Sequence, residues 1–208
     1  MRLHTYFRSS AAYRVRIALN LKGVAYESVP VNLLKGEHQG DGYLAVNPHG
    51  RVPSLQIGNA ILTQSPAILE YLDEVHPEPP LLPMGALERA RVRAVASLIA
   101  CDVHPINNLA VLRYLKHRLG RDQADVDAWY AHWIREGFSA VEGMIAPGPF
   151  AFGRRVTLAD VYLIPQVYNA RRFNIPLDAF PKIAAVEAAC AAEKAFQDAA
   201  PERQPDAA

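Results

Sequence analysis

The sequence predicts an α/β N-terminal domain followed by an all-helical C-terminal domain. Three features predict it: short apolar or alternating runs are confined to the first third, a proline-rich segment interrupts the chain near residue 80, and alanine-rich helical patterns follow. Strands are expected at about Arg2 to Tyr6, Tyr26 to Val31, Pro53 to Ile57 and Ala60 to Thr63, with helices at Ser10 to Leu21 and Ser65 to Val75. In the first helix Val15, Ala18, Leu19 and Lys22 share a face, and Gly23 is placed to cap its C-terminus. Gly58-Asn59, flanked by apolar residues, predicts a tight hairpin between the last two strands. His76-Pro77-Glu78-Pro79-Pro80-Leu81-Leu82-Pro83 cannot be helical and reads as a fixed connector, dividing the chain into domains 1-79 and 84-208.

Helical patterns then run at about Ala86 to Leu119, Asp122 to Ala146, Leu158 to Asn169 and Pro181 to Ala192, with no strand expected among them. Thr157 is a good N-cap, and Asp160 can return a bond to the cap's N–H, a capping box with Asp in place of Glu. Trp129, Tyr130 and Trp133 form a helical stripe suited to packing.

Half of the 208 residues are hydrophobic, enough to build substantial cores, and the net charge of +1 argues against chain-wide attraction to nucleic acid or membrane. Met1 to Tyr6 holds no apolar signal core, and no stretch reads as the roughly 18 to 20 apolar residues of a membrane span. These features predict a cytoplasmic protein whose partners are small molecules or a second copy of itself. Cys101 and Cys190 lie in helical patterns and read as reduced, mostly buried thiols. His104, His117 and His132 lack the close partners a zinc site requires, so no metal is expected.

Two helix N-termini are candidate anion sites. Ser9-Ser10 opens the first helix and Gln64-Ser65-Pro66 opens another, each offering unpaired N–H groups at the positive end of a helix dipole. The same serines also serve as ordinary caps. Between these helices, Val52-Pro53 sits where a loop enters a strand; proline cannot donate to a ladder there, and a cis peptide is expected. Arg8 precedes the serines, and Arg171-Arg172 lies near the end of the helix that Thr157 begins. Arginine binds carboxylates bidentately at any working pH, so Arg8 and Arg172 are candidates to hold the two ends of a dicarboxylate. A solvated surface charge, or for Arg171-Arg172 a favourable placement at a helix C-terminus, is the plainer account.

Three motifs converge on one family. S-S-x-x-Y-R-V-R-I-A-L from Ser9, N-P-x-x-x-V-P-x-L from Asn47 and Q-S-x-A-I-x-E-Y-L from Gln64 resemble the zeta class of glutathione transferases, which includes maleylacetoacetate and maleylpyruvate isomerases. Cys101 to Asn108 and Leu163 to Phe173 look most like the maleylpyruvate isomerase branch, and the resemblance runs to about Pro201. It implies a thioredoxin-like first domain with a mixed four-stranded sheet, consistent with the β-α-β, β-β-α order, and a helical second domain. It further implies a homodimer that uses glutathione. Its Val52 would pair with the cysteinyl portion, Gln64 and Ser65 would bind the γ-glutamyl carboxylate, and His38, His104 and Asn108 would supply polar contacts. Ser9, with Ser10 as alternate, would activate the thiol, while Arg8, Arg171 and Arg172 would bind the substrate carboxylates. Family members often carry Cys and Trp where this chain has Ala11 and Tyr13, so glutathione would be the sole source of nucleophilic sulfur. The implied reaction is cis-trans isomerisation of a maleyl diketoacid, maleylpyruvate or maleylacetoacetate, through reversible thiol addition. The alternative is a general transferase conjugating small electrophiles.

Overall fold

A computed structural model describes residues 1–207. The chain forms two compact units, one of Met1–Pro80 joined by the segment from Ala191 onward and one of Leu81–Cys190. The first contains β1 (Arg2–Thr5), α1 (Ser10–Leu21), β2 (Glu27–Pro30), the short α2 (Asp41–Leu44), β3 (Ser54–Ile57), β4 (Ala60–Thr63) and α3 (Ser65–Val75). The sheet order is β2-β1-β3-β4, with β1 parallel to β2 and the other pairs antiparallel. The parallel pair requires the α1 crossover, whereas β3 and β4 need only the turn at Gly58, whose φ is +58°. Leu3 and Leu55 from the sheet, with Val15, Leu19, Ile68 and Leu72 from the helices, have no exposed surface and form the core. Gly23 at φ +64° ends α1 in the left-handed conformation the sequence suggests.

The second unit contains α4 (Ala86–Ser97), α5 (Leu109–His117), α6 (Gln123–Met144), two-residue strands β5 (Ala146–Pro147) and β6 (Phe152–Gly153), α7 (Leu158–Arg172) and most of α8 (Pro181–Ala191). Two expectations are corrected here. The pattern from Ala86 to Leu119 is not one regular helix: a π-helical turn at Leu98–Val103 and a 3-10 turn at Pro105–Asn107 separate α4 from α5. Pro105 removes a helix donor, and Asn108 restarts the helix by accepting from the Ala110 and Val111 N–H groups. The strands β5 and β6 are too short for a period to register in the sequence. Asp160 holds this region, accepting from the Ala151 N–H at 2.7 Å and from the Thr157 N–H and hydroxyl at 2.7 and 2.9 Å. Burial pushes its carboxyl pKa up, against the pull of those three bonds.

Three further corrections concern exposure and boundaries. Cys101 is exposed whereas Cys190 is buried, because Cys101 lies two residues from each of the buried Ile99 and Val103, on the opposite side of the turn. The helical run Ala86–His117 does meet the length and composition of a membrane-crossing helix, contrary to the expectation from uninterrupted apolar runs. Its Val92, Val95, Ile99 and Val103 are buried in the second unit. Finally, residues after Ala191 do not extend the helical domain. Here α9 (Lys194–Ala199) packs along α1 in the first unit. Arg16, fully buried on α1, donates from Nε to the Ala199 carbonyl at 3.0 Å, and the Asn20 amide donates to the Ala195 carbonyl at 3.0 Å.

Within the second unit α6 crosses the π turn closely: a Cβ on buried Gly137 would collide with Val103 Cγ2. Val103 is β-branched and fully packed, so it cannot swing away cheaply. Gly137→Ala is therefore expected to destabilise the protein by roughly 1 to 3 kcal/mol despite its better helix propensity, measured by urea unfolding.

Candidate active site

The turn from Tyr6 to Ser9 leads β1 into α1 and is closed by the Ser9 N–H donating to the Tyr6 carbonyl at 2.9 Å. Ser9 is the N-cap, its Oγ accepting from the Ala12 N–H at 3.2 Å. Acceptance leaves the hydroxyl proton available to a ligand, beside the N–H groups of the first helical turn. Ser10 is already helical and 6 % exposed, so of the two serines Ser9 is the more accessible. Arg8 is exposed, with its guanidinium 4.8 Å from the centre of the Phe7 ring. A cation above an aromatic face restricts the guanidinium's swing without occupying its N–H donors.

Val52 is brought to the same region by an apolar cluster of Tyr6, Val31, Tyr43 and Val52, with Phe7, Leu33 and Val46 packed against it. The Val52–Pro53 bond is cis, as the sequence predicts. Tyr43 Oη and Asn47 Nδ2 each donate to the Arg51 carbonyl at 2.7 Å, fixing the residue before Val52, and strand pairing begins only at Ser54. The Val52 main chain thus lies outside the ladder, where an extended peptide can pair with it. His38 is half-buried in a 3-10 turn that Gln39 ties to this loop, donating to the Gly50 carbonyl at 3.0 Å. Gly50 permits that approach: its φ is +61°, and a Cβ there would meet the His38 carbonyl at 2.9 Å.

Gln64, the N-cap of α3, has φ +68° and ψ +116°. A non-glycine residue in this region stores strain of order 1 to 3 kcal/mol, which is retained at binding sites where it aims a group. Its amide lies 3.5 Å from His49 Nδ1, and buried Ser65 follows, its Oγ accepting from Arg14 Nη1 at 3.3 Å. Arg14, 1 % exposed, thus fixes the Ser65 hydroxyl at a helix N-terminus, an end suited to a carboxylate. Sequence reasoning missed Arg14, because α1 is buried on every side over the eight residues from Ala12 to Leu19, where a helical period marks no buried charge.

In the second unit Arg172 ends α7, exposed, with its guanidinium 4.9 Å from the Phe173 ring centre. Phe173 stacks on Tyr130 of α6 at 3.8 Å and 9°. Burial pushes the Tyr130 hydroxyl pKa up to about 12, against the pull of the Arg172 guanidinium beside it. Gln166, fully buried, lies beside the same hydroxyl without reaching hydrogen-bond geometry. Arg172 therefore stands on a ring platform with a neutral phenol beside it, within reach of one of its N–H groups. In sequence Tyr130 reads as part of a packing stripe, and no local signal marks Phe173 as a support for Arg172.

Two other candidates are already engaged. Arg171 forms a bidentate pair with Glu187, at 3.2 and 2.7 Å. The Asn108 amide caps α5 and also donates to the Pro105 carbonyl at 2.6 Å. His104 is half-buried where the π turn ends, its N–H donating to the Ile99 carbonyl at 2.9 Å.

A four-stranded mixed sheet in β-α-β, β-β-α order, with a serine-capped α1 and an extended Val52 before a cis proline, defines a thioredoxin-like glutathione-binding unit. Residues 1–74 match the glutathione S-transferase N-terminal domain and residues 123–189 the glutathione S-transferase C-terminal domain. The chain is 51 % identical over 209 residues to a maleylacetoacetate isomerase of Pseudomonas aeruginosa, covering 99 % of this chain and 98 % of that one. A holo structure of a maleylpyruvate isomerase, a bacterial zeta-class glutathione S-transferase, superposes with a TM-score of 0.98 at 50 % identity, covering all of both chains. A maleylacetoacetate isomerase from Methylobacterium extorquens with bound malonate and glutathione superposes with a TM-score of 0.96 at 37 % identity, again over all of both chains. This chain belongs to the glutathione transferase family, and within it to the zeta class.

Proposed function

We propose that the protein is a glutathione-dependent cis-trans isomerase that converts a maleyl diketoacid, maleylpyruvate or maleylacetoacetate, to its fumaryl isomer in aromatic-compound catabolism. The observation that carries this is the Ser9 cap: its oxygen is held by Ala12 and its proton is free, at a helix N-terminus with an oriented Arg8 next to it. Likeness to zeta-class isomerases along the whole chain supports the same reading, as does the relative that holds glutathione with a small dicarboxylate. The reduced glutathione this chemistry needs supports a cytoplasmic location.

Glutathione supplies a thiolate whose reversible addition turns the conjugated double bond into a rotatable single bond, and it is regenerated at each turnover. Ser9 donates a hydrogen bond to the sulfur, and the α1 N-terminus favours the anion, lowering the pKa from the roughly 8.5 of a free thiol. Val52 pairs with the cysteinyl main chain, Gln64 and Ser65 hold the γ-glutamyl carboxylate, and His38 and His104 give polar contacts. Arg8 and Arg172 bind the substrate carboxylates and stabilise the negative charge that develops on the substrate's oxygens. Arg171, paired with Glu187, and Asn108, spent as a cap, stand outside the reacting groups.

Ser9→Ala should lower turnover by one to two orders of magnitude with little change in glutathione affinity, as expected for losing a charge-stabilising donor of roughly 1.5 to 3 kcal/mol. Ser10→Ala should cost less; full activity in Ser9→Ala with loss in Ser10→Ala reverses the assignment.

Arg8→Met or Arg172→Met should weaken kcat/KM for the maleyl acid by roughly 2 to 4 kcal/mol, leaving glutathione binding intact, and lysine should rescue only in part. Parent rates in both methionine variants would instead favour a general transferase that conjugates neutral electrophiles.

The protein is also proposed to act as a two-fold homodimer. Met84 and Leu87, 96 % and 60 % exposed, present apolar surface about the start of α4. Light scattering at micromolar concentration should give twice the 22.9 kDa chain mass, and the single-chain mass removes the claim.

A further inference from the structure

We propose that Asp206, in the segment that follows α9, is a positioning residue for the reacting turn: it holds Phe7 by the main chain, and Phe7 in turn orients Arg8 and Ser9. This inference rests on the roles proposed for Arg8 and Ser9. Asp206 Oδ2 accepts from the Phe7 N–H at 2.9 Å, a contact that closes 199 residues of chain. On its other side Phe7 offers its carbonyl to Arg16 Nη2, also at 2.9 Å. Both polar main-chain groups of Phe7 are thereby spoken for, one by the C-terminal segment and one by a buried guanidinium that itself holds the Ala199 carbonyl. The ring of Phe7 is then set, with Tyr6 edge-on at 4.8 Å and the Arg8 guanidinium above it at 4.8 Å.

The C-terminal segment is built to deliver Asp206. Pro201 and Gln204 are buried, and the Gln204 amide donates to the Asp198 and Ala200 carbonyls at 2.9 Å each, closing the chain onto the end of α9. The Ala207 N–H donates back to the Gln204 carbonyl at 3.0 Å, so Asp206 sits inside a closed turn. Its Oδ1 is shielded from solvent, which marks a seated carboxylate rather than a surface one. Residues 190 onward lie beyond the span that matches the C-terminal family domain, so nothing in that match assigns Asp206 a role.

A turn fixed on both faces cannot drift as substrate binds, and misplacement of a charged group by a fraction of an ångström is enough to weaken transition-state binding. The test uses the full-length chain with Asp206→Ala, Asp206→Asn and Phe7→Leu, read by steady-state isomerisation of maleylpyruvate and by the pH dependence of thiolate absorbance of bound glutathione. Asp206→Ala should raise KM for maleylpyruvate about five- to twentyfold and move thiol ionisation to higher pH. Asp206→Asn keeps an acceptor for the Phe7 N–H and should recover most of both. In an Arg8→Met background the KM effect of Asp206→Ala should vanish while the ionisation shift persists. Phe7→Leu keeps the main-chain bonds and should raise KM alone. The proposal is overturned by a folded Asp206→Ala protein with parent KM and ionisation, or by a KM effect that survives undiminished with Arg8→Met. Should Asp206→Ala fail to fold, parent KM in Phe7→Leu overturns the link to Arg8. A wrong role for Arg8 shows separately, as parent KM in Arg8→Met alone.

Discussion

Much of the first unit hangs on one buried guanidinium. Arg16 has no exposed surface, yet its donors reach the Thr5 hydroxyl, the Tyr6, Phe7 and Ala199 carbonyls, and its face meets the Tyr13 ring at 5.3 Å. A charge taken out of water is tolerated only when its hydrogen bonds are replaced, and here main-chain carbonyls replace them. The consequence is geometric. The end of β1, the turn before α1 and the end of α9 all converge on one planar group whose five N–H directions are rigid. Lysine, with a point charge on a flexible stem, could not define those directions.

That rigidity matters because the reacting turn doubles as a helix start. Ser9 caps α1 through its oxygen, and the proposed mechanism asks the same hydroxyl to donate its proton to a ligand, which one hydroxyl can do because its acceptor and donor roles point different ways. The second helix start follows another logic. Gln64 is held at positive φ, and the buried Arg14 fixes the Ser65 hydroxyl from behind the helix start. The proposed function gives the first end a sulfur anion held by a neutral donor and the second a carboxylate.

Arg8 and Arg172 are set by the same device in different units. Each lies over the ring of a chain neighbour, Phe7 or Phe173, and each ring is fixed by a second aromatic, Tyr6 or Tyr130. The arrangement limits the side-chain entropy lost on binding while keeping the guanidinium wet and its donors open. Arg171, one residue away, shows the contrast: Glu187 takes its fork, and it becomes a structural ion pair.

Local rules were enough to read much of this from the sequence. Strand and helix order, the Ser9 cap, the Gly23 stop, the Gly58-Asn59 turn, the cis bond before Pro53 and the Thr157–Asp160 box all depend on residues within a few positions of one another, where propensity and capping act. The motifs around Ser9, Val52 and Gln64 also carried the family, and with it the expected glutathione site. What the sequence could not show were contacts between residues far apart in the chain. No local pattern marks Arg14 and Arg16 as buried, because Ser65 and Ala199, which they hold, lie far along the chain. The return of α9 to the first unit, and the reach of Asp206 to Phe7, depend on packing against α1 that no local period encodes. Tertiary structure alone decided which of two adjacent arginines was left free, since Glu187 is sixteen residues from Arg171 and only folding brings them together.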